Sequence, residues 1–382
     1  MGELLRSPAG VRKFKTLFGV EAFPHGDTLG KLAARLDPAE FQECVCALVE
    51  RLIRRKVLYA YRLLDRWFVV AVDGTGMLTF PRRHCPHCLT AVHNGKTQYY
   101  HHVLEAKLVT ANGFAFSMMS EFIENPEPNA TKQDCELKAF YRLAARLKDR
   151  FPRLPLCLTM DGLYAGGPTF QIAADYAWKF IITLKDDDLP AVNAEFEALA
   201  RLQTDNQTQL RYADTNTTQD YRWVNQLSYQ DSRNRIHQLD VLELRQTLDR
   251  GPRGELTTKF KWVTNLNLKS QNVARIANQG GRIRWKIENE GFNVQKNGGF
   301  GLEHAYALKP NAAKNFYFLL QIAHALFQLL WRGNLLKKSC PDVASEKNLA
   351  YLLLEAWRNA PFSPEDLERL RAPKFQARLD SS

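Results

Sequence analysis

The sequence predicts an α/β protein, with an α/β core, a mainly β insertion and helical segments at its N- and C-terminal ends. Three observations carry this. Two apolar runs, Arg66–Asp73 and Leu154–Asp161, each end in Asp-Gly, as strands buried on both faces do. Strand-like and helix-like segments alternate around them, the order of an α/β sheet. Residues 186–270 instead hold short alternating runs separated by polar turns, which reads as added β structure.

Taken in order, residues 1–65 read as a helical N-terminal region for DNA binding or oligomerisation. Asp27-Thr28 can cap a helix carrying Leu29, Leu32 and Leu36. A second helix, from about Pro38 to Leu58, puts Phe41, Val45, Leu48, Leu52 and Ile53 on one face. Its Arg51, Arg54, Arg55 and Lys56 read as a solvated face. Residues 66–185 form the first part of the core. The strand Arg66–Asp73 is followed by strands Tyr99–Thr110 and Phe114–Ser120, joined by a turn containing Asn112-Gly113, a strong hairpin signal. A helix over Lys132–Arg150, opened by Asn129 or Thr131, precedes the strand ending at Asp161. Then come a helix over Gly167–Tyr176 and a strand over Trp178–Leu184. Strand–strand–strand–helix–strand–helix–strand is the order of a ribonuclease-H-like core. The insertion, 186–270, contains runs at Gln209–Ala213, Tyr221–Tyr229, His237–Leu244 and Thr257–Leu266. Helices over Val273–Gln279, Arg282–Val294 and Ala312–Leu336 belong to the segment 271–340 that completes the core. The C-terminal helix and tail occupy 341–382, with a helix over Ser345–Arg358.

The chain has 382 residues, 45% hydrophobic and 24% charged, which excludes a disordered or fibrous protein. Its 52 Lys+Arg against 41 Asp+Glu leave a formal charge of +11, pointing to a polyanionic partner. Seven cysteines, an odd number in a long chain, argue against a disulfide framework and for a reducing, cytoplasmic compartment. The first ten residues lack the apolar stretch of a secretory signal. The longest apolar run, Phe316–Trp331, is broken by Gln321, His324 and Gln328, so no membrane span is expected.

Asp73 and Asp161 both close a buried strand at the edge where open α/β sheets place functional groups. A carboxylate there is costly to desolvate unless a cation neutralises it, and hard Mg²⁺ or Mn²⁺ prefers such oxygen donors. The alternative role is capping of the following turn. A third segment, Gly281–Lys296, mixes acid, base and aromatic residues on one helix. Arg284 and Glu288, four apart, share a face.

These residues resemble the DDE transposases of bacterial insertion sequences, in particular the IS4-like group. In that group the first acid lies in a strand ending Asp-Gly-Thr, here Asp73-Gly74-Thr75. The second lies in a strand followed by Gly and an aromatic residue, here Asp161-Gly162-Leu163-Tyr164. The third lies in a helical Tyr-x2-Arg-x3-Glu-x6-Lys motif, here Arg284-Trp285-Lys286-Ile287-Glu288. The order matches over residues 25–335, and a β insertion separates the second and third acids. Gly281 stands where the motif has Tyr, and Gln295 stands where it has Lys, with Lys296 one residue on. Glu290 is an alternative third acid. Relatives with the Pro24–Leu29 stretch carry a longer helical N-terminus, which suggests a shortened start.

The resemblance implies that Asp73, Asp161 and Glu288 hold two Mg²⁺ or Mn²⁺ ions. These would activate water to free a 3′-hydroxyl at the element's end and then direct that hydroxyl at target DNA. It implies double-stranded DNA partners, terminal inverted repeats and target, a homodimer on DNA, and a bacterial cytoplasmic setting. Alternatives are a nuclease or a domesticated, catalytically impaired DNA-binding relative. Arg284, Lys286 and Lys296 are candidate phosphate contacts. Trp285 is a candidate stacking residue, or else a core one. Arg211-Tyr212, Tyr221-Arg222-Trp223 and Lys259–Trp262 form a second candidate surface, or plain amphipathic strands. Separately, Cys85-Pro86-His87-Cys88 resembles half of a zinc site, with His93 and His101 or His102 as further donors. The set Cys85, Cys88, His101 and His102 is the zinc candidate, free thiols in a hairpin loop the alternative.

Overall fold

The structure, a computed structural model, describes residues 7–127, 132–332, 343 and 345–371. It divides into two compact units, one of residues 1–57 with 293–382, the other of residues 58–292.

The first unit is helical. Helix Pro8–Phe18 is capped by Ser7, whose Oγ accepts the Gly10 N–H at 3.1 Å. It ends at Gly19, where φ of 67° requires the left-handed backbone that glycine tolerates. Helix Gly26–Ala33 is capped by His25 rather than by Asp27 or Thr28: His25 Nδ1 accepts the Asp27 N–H at 3.3 Å. Helix Pro38–Arg54 starts at Asp37 and stops four residues short of Leu58. Helices Pro310–Arg332, Glu346–Asn359 and Pro364–Arg371 complete the unit. The expected end at Leu336 and the residue Cys340 lie outside the described residues. Polar side chains fasten these helices to one another through backbone carbonyls near the helix ends. Lys13 Nζ donates to the carbonyl of Ala356 at 2.6 Å, and Asn315 Nδ2 to those of Ala33 and Leu36 at 2.7 and 3.0 Å.

The second unit is built on a mixed ten-stranded sheet: β1 (Phe68–Phe80), β2 (Leu89–His93), β3 (Lys96–Val109), β4 (Ala115–Ile123), β5 (Leu156–Met160), β6 (Lys179–Thr183), β7 (Gln207–Tyr212), β8 (Thr217–Gln230), β9 (Ile236–Asp249) and β10 (Glu255–Thr264). The order is β2-β3-β1-β5-β6-β10-β9-β8-β7, with β4 on β3. β1, β5 and β6 run parallel, whereas the β1–β3, β3–β4 and β6–β10 pairings are antiparallel. The Asn112-Gly113 hairpin forms, with Gly113 at φ 95°. Asp73 does not end its strand, because β1 continues to Phe80 with a bulge near Gly76. The insertion is not a sheet of its own: β10 pairs with β6 and extends the core sheet outward. It also contains the helix Pro190–Leu202, whose Val192 and Phe196, four apart, are buried. This helix stands inside a segment that the short alternating runs marked as β structure.

Two helical layers cover the sheet. Helix Glu136–Arg150 buries Ala139, Phe140, Leu143 and Leu147. It starts after the expected caps Asn129 and Thr131, which lie outside the described residues. An irregular helical stretch follows β10, running from Val273 into Ile287–Asn293 and switching between α, π and 3-10 pitch. It buries Val273, Ile276, Ile283, Ile287 and Phe292 with Val69, Ala71, Ile181 and Trp262 of the sheet. It seats closely because two glycines face inward. A Cβ at Gly280 would lie 2.3 Å from Ile181 Cδ1, and one at Gly281 2.4 Å from Trp262 Cε2.

Candidate active site

Strand periodicity sets where the acids point. Val69 and Ala71 face the irregular helix, so Asp73 two residues on faces it too. β5 is parallel to β1, with Val69 opposite Cys157 and Ala71 opposite Thr159. Asp161 follows the end of β5 by one residue, and by strand alternation it continues the face of Cys157 and Thr159, the face that Asp73 shares on β1. The helix above supplies the third group. Arg284 Nη1 lies 3.0 Å from Asp73 Oδ2 and 3.0 Å from Glu288 Oε1, so one guanidinium joins strand and helix acids.

The electrostatics of Asp73 are those of a crowded acid. Burial pushes its carboxyl up to about 7, and a hydrogen bond with Glu288 adds to the rise; Arg284 and the Gly74 N–H, at 2.9 Å, pull the other way. Asp161 Oδ1 accepts the Leu163 N–H at 3.0 Å and caps the turn Gly162–Tyr164, so its capping role is realised. Tyr164, the buried last residue of that turn, is pushed far above its ordinary value by burial and by the negative charges of Glu136, Asp161 and Asp73.

The opposite face of β1 holds Glu136, which the sequence reading missed, and His102, which it had grouped with the cysteines. A Cβ at Gly74 would lie 2.5 Å from both Glu136 Oε1 and His102 Nε2. Those two atoms are 3.3 Å apart, and Tyr164 Oη donates to Glu136 Oε2 at 3.3 Å. The His102 contact holds the Glu136 carboxyl below its ordinary value. Two residues along β3 from Leu104, Gly74's partner, His102 must share Gly74's face, and that alternation was the available signal. In the sheet itself, Glu105 and Lys107 are a fully buried ion pair at 3.3 Å, with Ser117 and Ser120 hydroxyls on Glu105. Burial lowers the Lys107 ammonium.

The expected phosphate-binding residues have different partners. Arg284 and Trp285 line a cleft of about 550 Å³ together with Lys185, Lys259, Phe260 and Arg282; Trp285 is 44% exposed. Lys286 pairs with Glu290 at 3.4 Å and lies over the Trp285 ring. Lys296 belongs to the helical unit, where it pairs with Glu303 at 2.7 Å, and its neighbour Gln295 is buried on Gln321 and His324. In the insertion, Tyr221, Trp223 and Trp262 are core residues. Arg222 and Lys259 converge on Glu243 at 2.6 and 3.0 Å, so these runs are largely amphipathic strands.

The cysteine–histidine cluster forms with one substitution in its membership. Among the described residues, one group of three or more His, Cys, Asp or Glu side chains brings its ligand atoms within 4.8 Å of one another: His84, Cys85, Cys88 and His101. His102 is not in it, because successive strand residues face opposite sides and His102 is on Glu136. His84 takes that place, and His93 sits exposed on β2.

Comparison with models of known protein families and with curated protein sequences finds no match. Among the described residues, no helix is long and apolar enough to cross a membrane.

Proposed function

We propose that this chain is a DDE transposase of the IS4-like insertion-sequence group, built on a ribonuclease-H-like core. One observation carries the reading: Asp73 lies on β1, Asp161 is the first residue after the adjacent parallel strand β5, and Arg284, on the helical stretch packed on the sheet, links Asp73 to Glu288. The strand order β4-β3-β1-β5-β6, with β3 antiparallel and β5 and β6 parallel to β1, supports the core assignment.

The donor set fits hard divalent cations. Asp73, Asp161 and Glu288 offer only oxygens, and burial beside Glu288 keeps Asp73 from ionising readily, a conflict that added positive charge relieves. Two Mg²⁺ or Mn²⁺ ions held by these acids would supply an acidified water and charge neutralisation on the leaving oxygen. Arg284 already balances two of the acids, and it lines the cleft, so it is the group that can transfer from carboxylates to a DNA phosphate. Trp285 beside it offers an exposed ring for stacking. The partners are then double-stranded terminal repeats and target DNA, engaged by a homodimer. The sulfur–nitrogen cluster suits zinc, a softer ion, and holds no group that this reaction uses.

The test is an assay of strand cleavage and joining on DNA taken from both flanks of the gene, with Mg²⁺ or Mn²⁺. Cleavage followed by joining is expected. Cleavage without joining assigns a nuclease, and binding without cleavage a non-catalytic relative.

A further inference from the structure

We propose that His84, Cys85, Cys88 and His101 form a structural zinc site that clamps the far end of β1 to β3. Four of the six donor–donor distances already approach the edges of a tetrahedron. Zinc bonds sulfur at about 2.3 Å and nitrogen at about 2.0–2.1 Å, so a tetrahedral ion sets S···S near about 3.8 Å and S···N near about 3.6 Å. Here Cys85 Sγ and Cys88 Sγ are 3.4 Å apart. Cys85 Sγ is 3.3 Å from His101 Nε2, and Cys88 Sγ is 3.3 Å from His84 Nδ1 and 3.6 Å from His101 Nε2. All four donors fall within 4.8 Å of one another. Side chains held at such spacing by hydrogen bonding alone would need a partner geometry that thiols, weak donors and acceptors, do not enforce.

The loop is built around the cluster. Its other histidine is committed elsewhere: His87 Nδ1 bonds the Asn125 carbonyl at 2.9 Å. Asn125 Nδ2 in turn donates to the Cys88 carbonyl at 2.9 Å, which fixes the Cys-x2-Cys turn. Two thiolates and two imidazoles select zinc over the oxygen-loving ions of the carboxylate site, and four protein donors close the shell, which makes the site structural. The clamp joins the loop after Phe80 to His101, opposite Leu78, and so holds the β1–β3 pairing beyond the bulge. His101 immediately precedes His102, so the clamp also fixes the strand that sets His102 against Glu136.

The experiment is elemental analysis of the full chain purified from zinc-supplemented medium. About one zinc per chain is expected in wild type and in His102→Ala, falling to below about a tenth in Cys88→Ser and His84→Ala. Wild type with less than about a tenth of a zinc per chain overturns the site; His84→Ala that keeps its zinc while His102→Ala loses it overturns this ligand set. Should the loss variants not fold, His84→Cys provides the decision. Loaded with Co²⁺, it should gain sulfur-to-metal charge-transfer intensity over wild type, and an unchanged spectrum excludes His84 as a ligand. The outcome is independent of DNA cleavage, so either proposal can fail alone.

Discussion

Asp73 is half-buried between a guanidinium and a second carboxylate, and its proton affinity follows from that. Its carboxyl sits at about 7 in the fold, above the ordinary carboxylate value. The folded state therefore binds the proton more tightly than the unfolded chain. That stability is fully present below the unfolded value near 4 and is lost as pH rises through about 7. Urea unfolding at pH 5 and pH 8 should show wild type losing about 1–3 kcal/mol more than Asp73→Asn across that interval. Added Mg²⁺ at pH 8 should restore wild type and leave Asp73→Asn unchanged. Gly74 belongs to the same scale. Its missing Cβ leaves room for Glu136 and His102, so Gly74→Ala should cost about 1–3 kcal/mol in urea unfolding, whereas Gly76→Ala, in open space, should cost less.

At the scale of elements, the helix carrying Arg284 and Glu288 depends on close approach to the sheet. Gly281→Ala should lower both stability, by about 1–3 kcal/mol, and Mg²⁺-dependent cleavage, because Trp262 must move and the helix with it. The same contact explains why a glycine occupies the place of the motif's tyrosine: no side chain fits against the Trp262 ring. Much of this architecture was legible. The apolar runs ending at Asp73 and Asp161, the Asn112-Gly113 hairpin and the i,i+4 pair Arg284–Glu288 all rest on local periodicity. What was not legible rests on pairing between distant segments. Nothing local says that β10 joins β6, or that β5 lies beside β1. β2 is short and largely exposed, so it lacks an apolar signature. The choice of His102 over His84 for the sulfur cluster could have been avoided, since strand alternation lets only one of His101 and His102 face Cys85.

Across the whole molecule, the formal charge of +11 supports DNA binding only where bases are not already spent on acids. Arg222 and Lys259 are spent on Glu243, and Arg284 on Asp73 and Glu288, whereas Arg282, which borders the cleft, donates to the neutral amides of Gln246 and Asn278. Binding to end DNA should weaken steeply with salt. Arg282→Ala should weaken it with a shallower salt slope; an unchanged slope by fluorescence anisotropy would remove this cleft from the DNA path.

Asp161 provides the most direct test of the carboxylate centre, because its part rests on strand register and not on a contact with Arg284. Asp161→Asn keeps the oxygen that caps the Gly162–Tyr164 turn and removes the charge. Mg²⁺-dependent cleavage of end DNA should fall by about a thousandfold or more while DNA affinity stays within about twofold of wild type. Wild-type cleavage by Asp161→Asn would contradict the account.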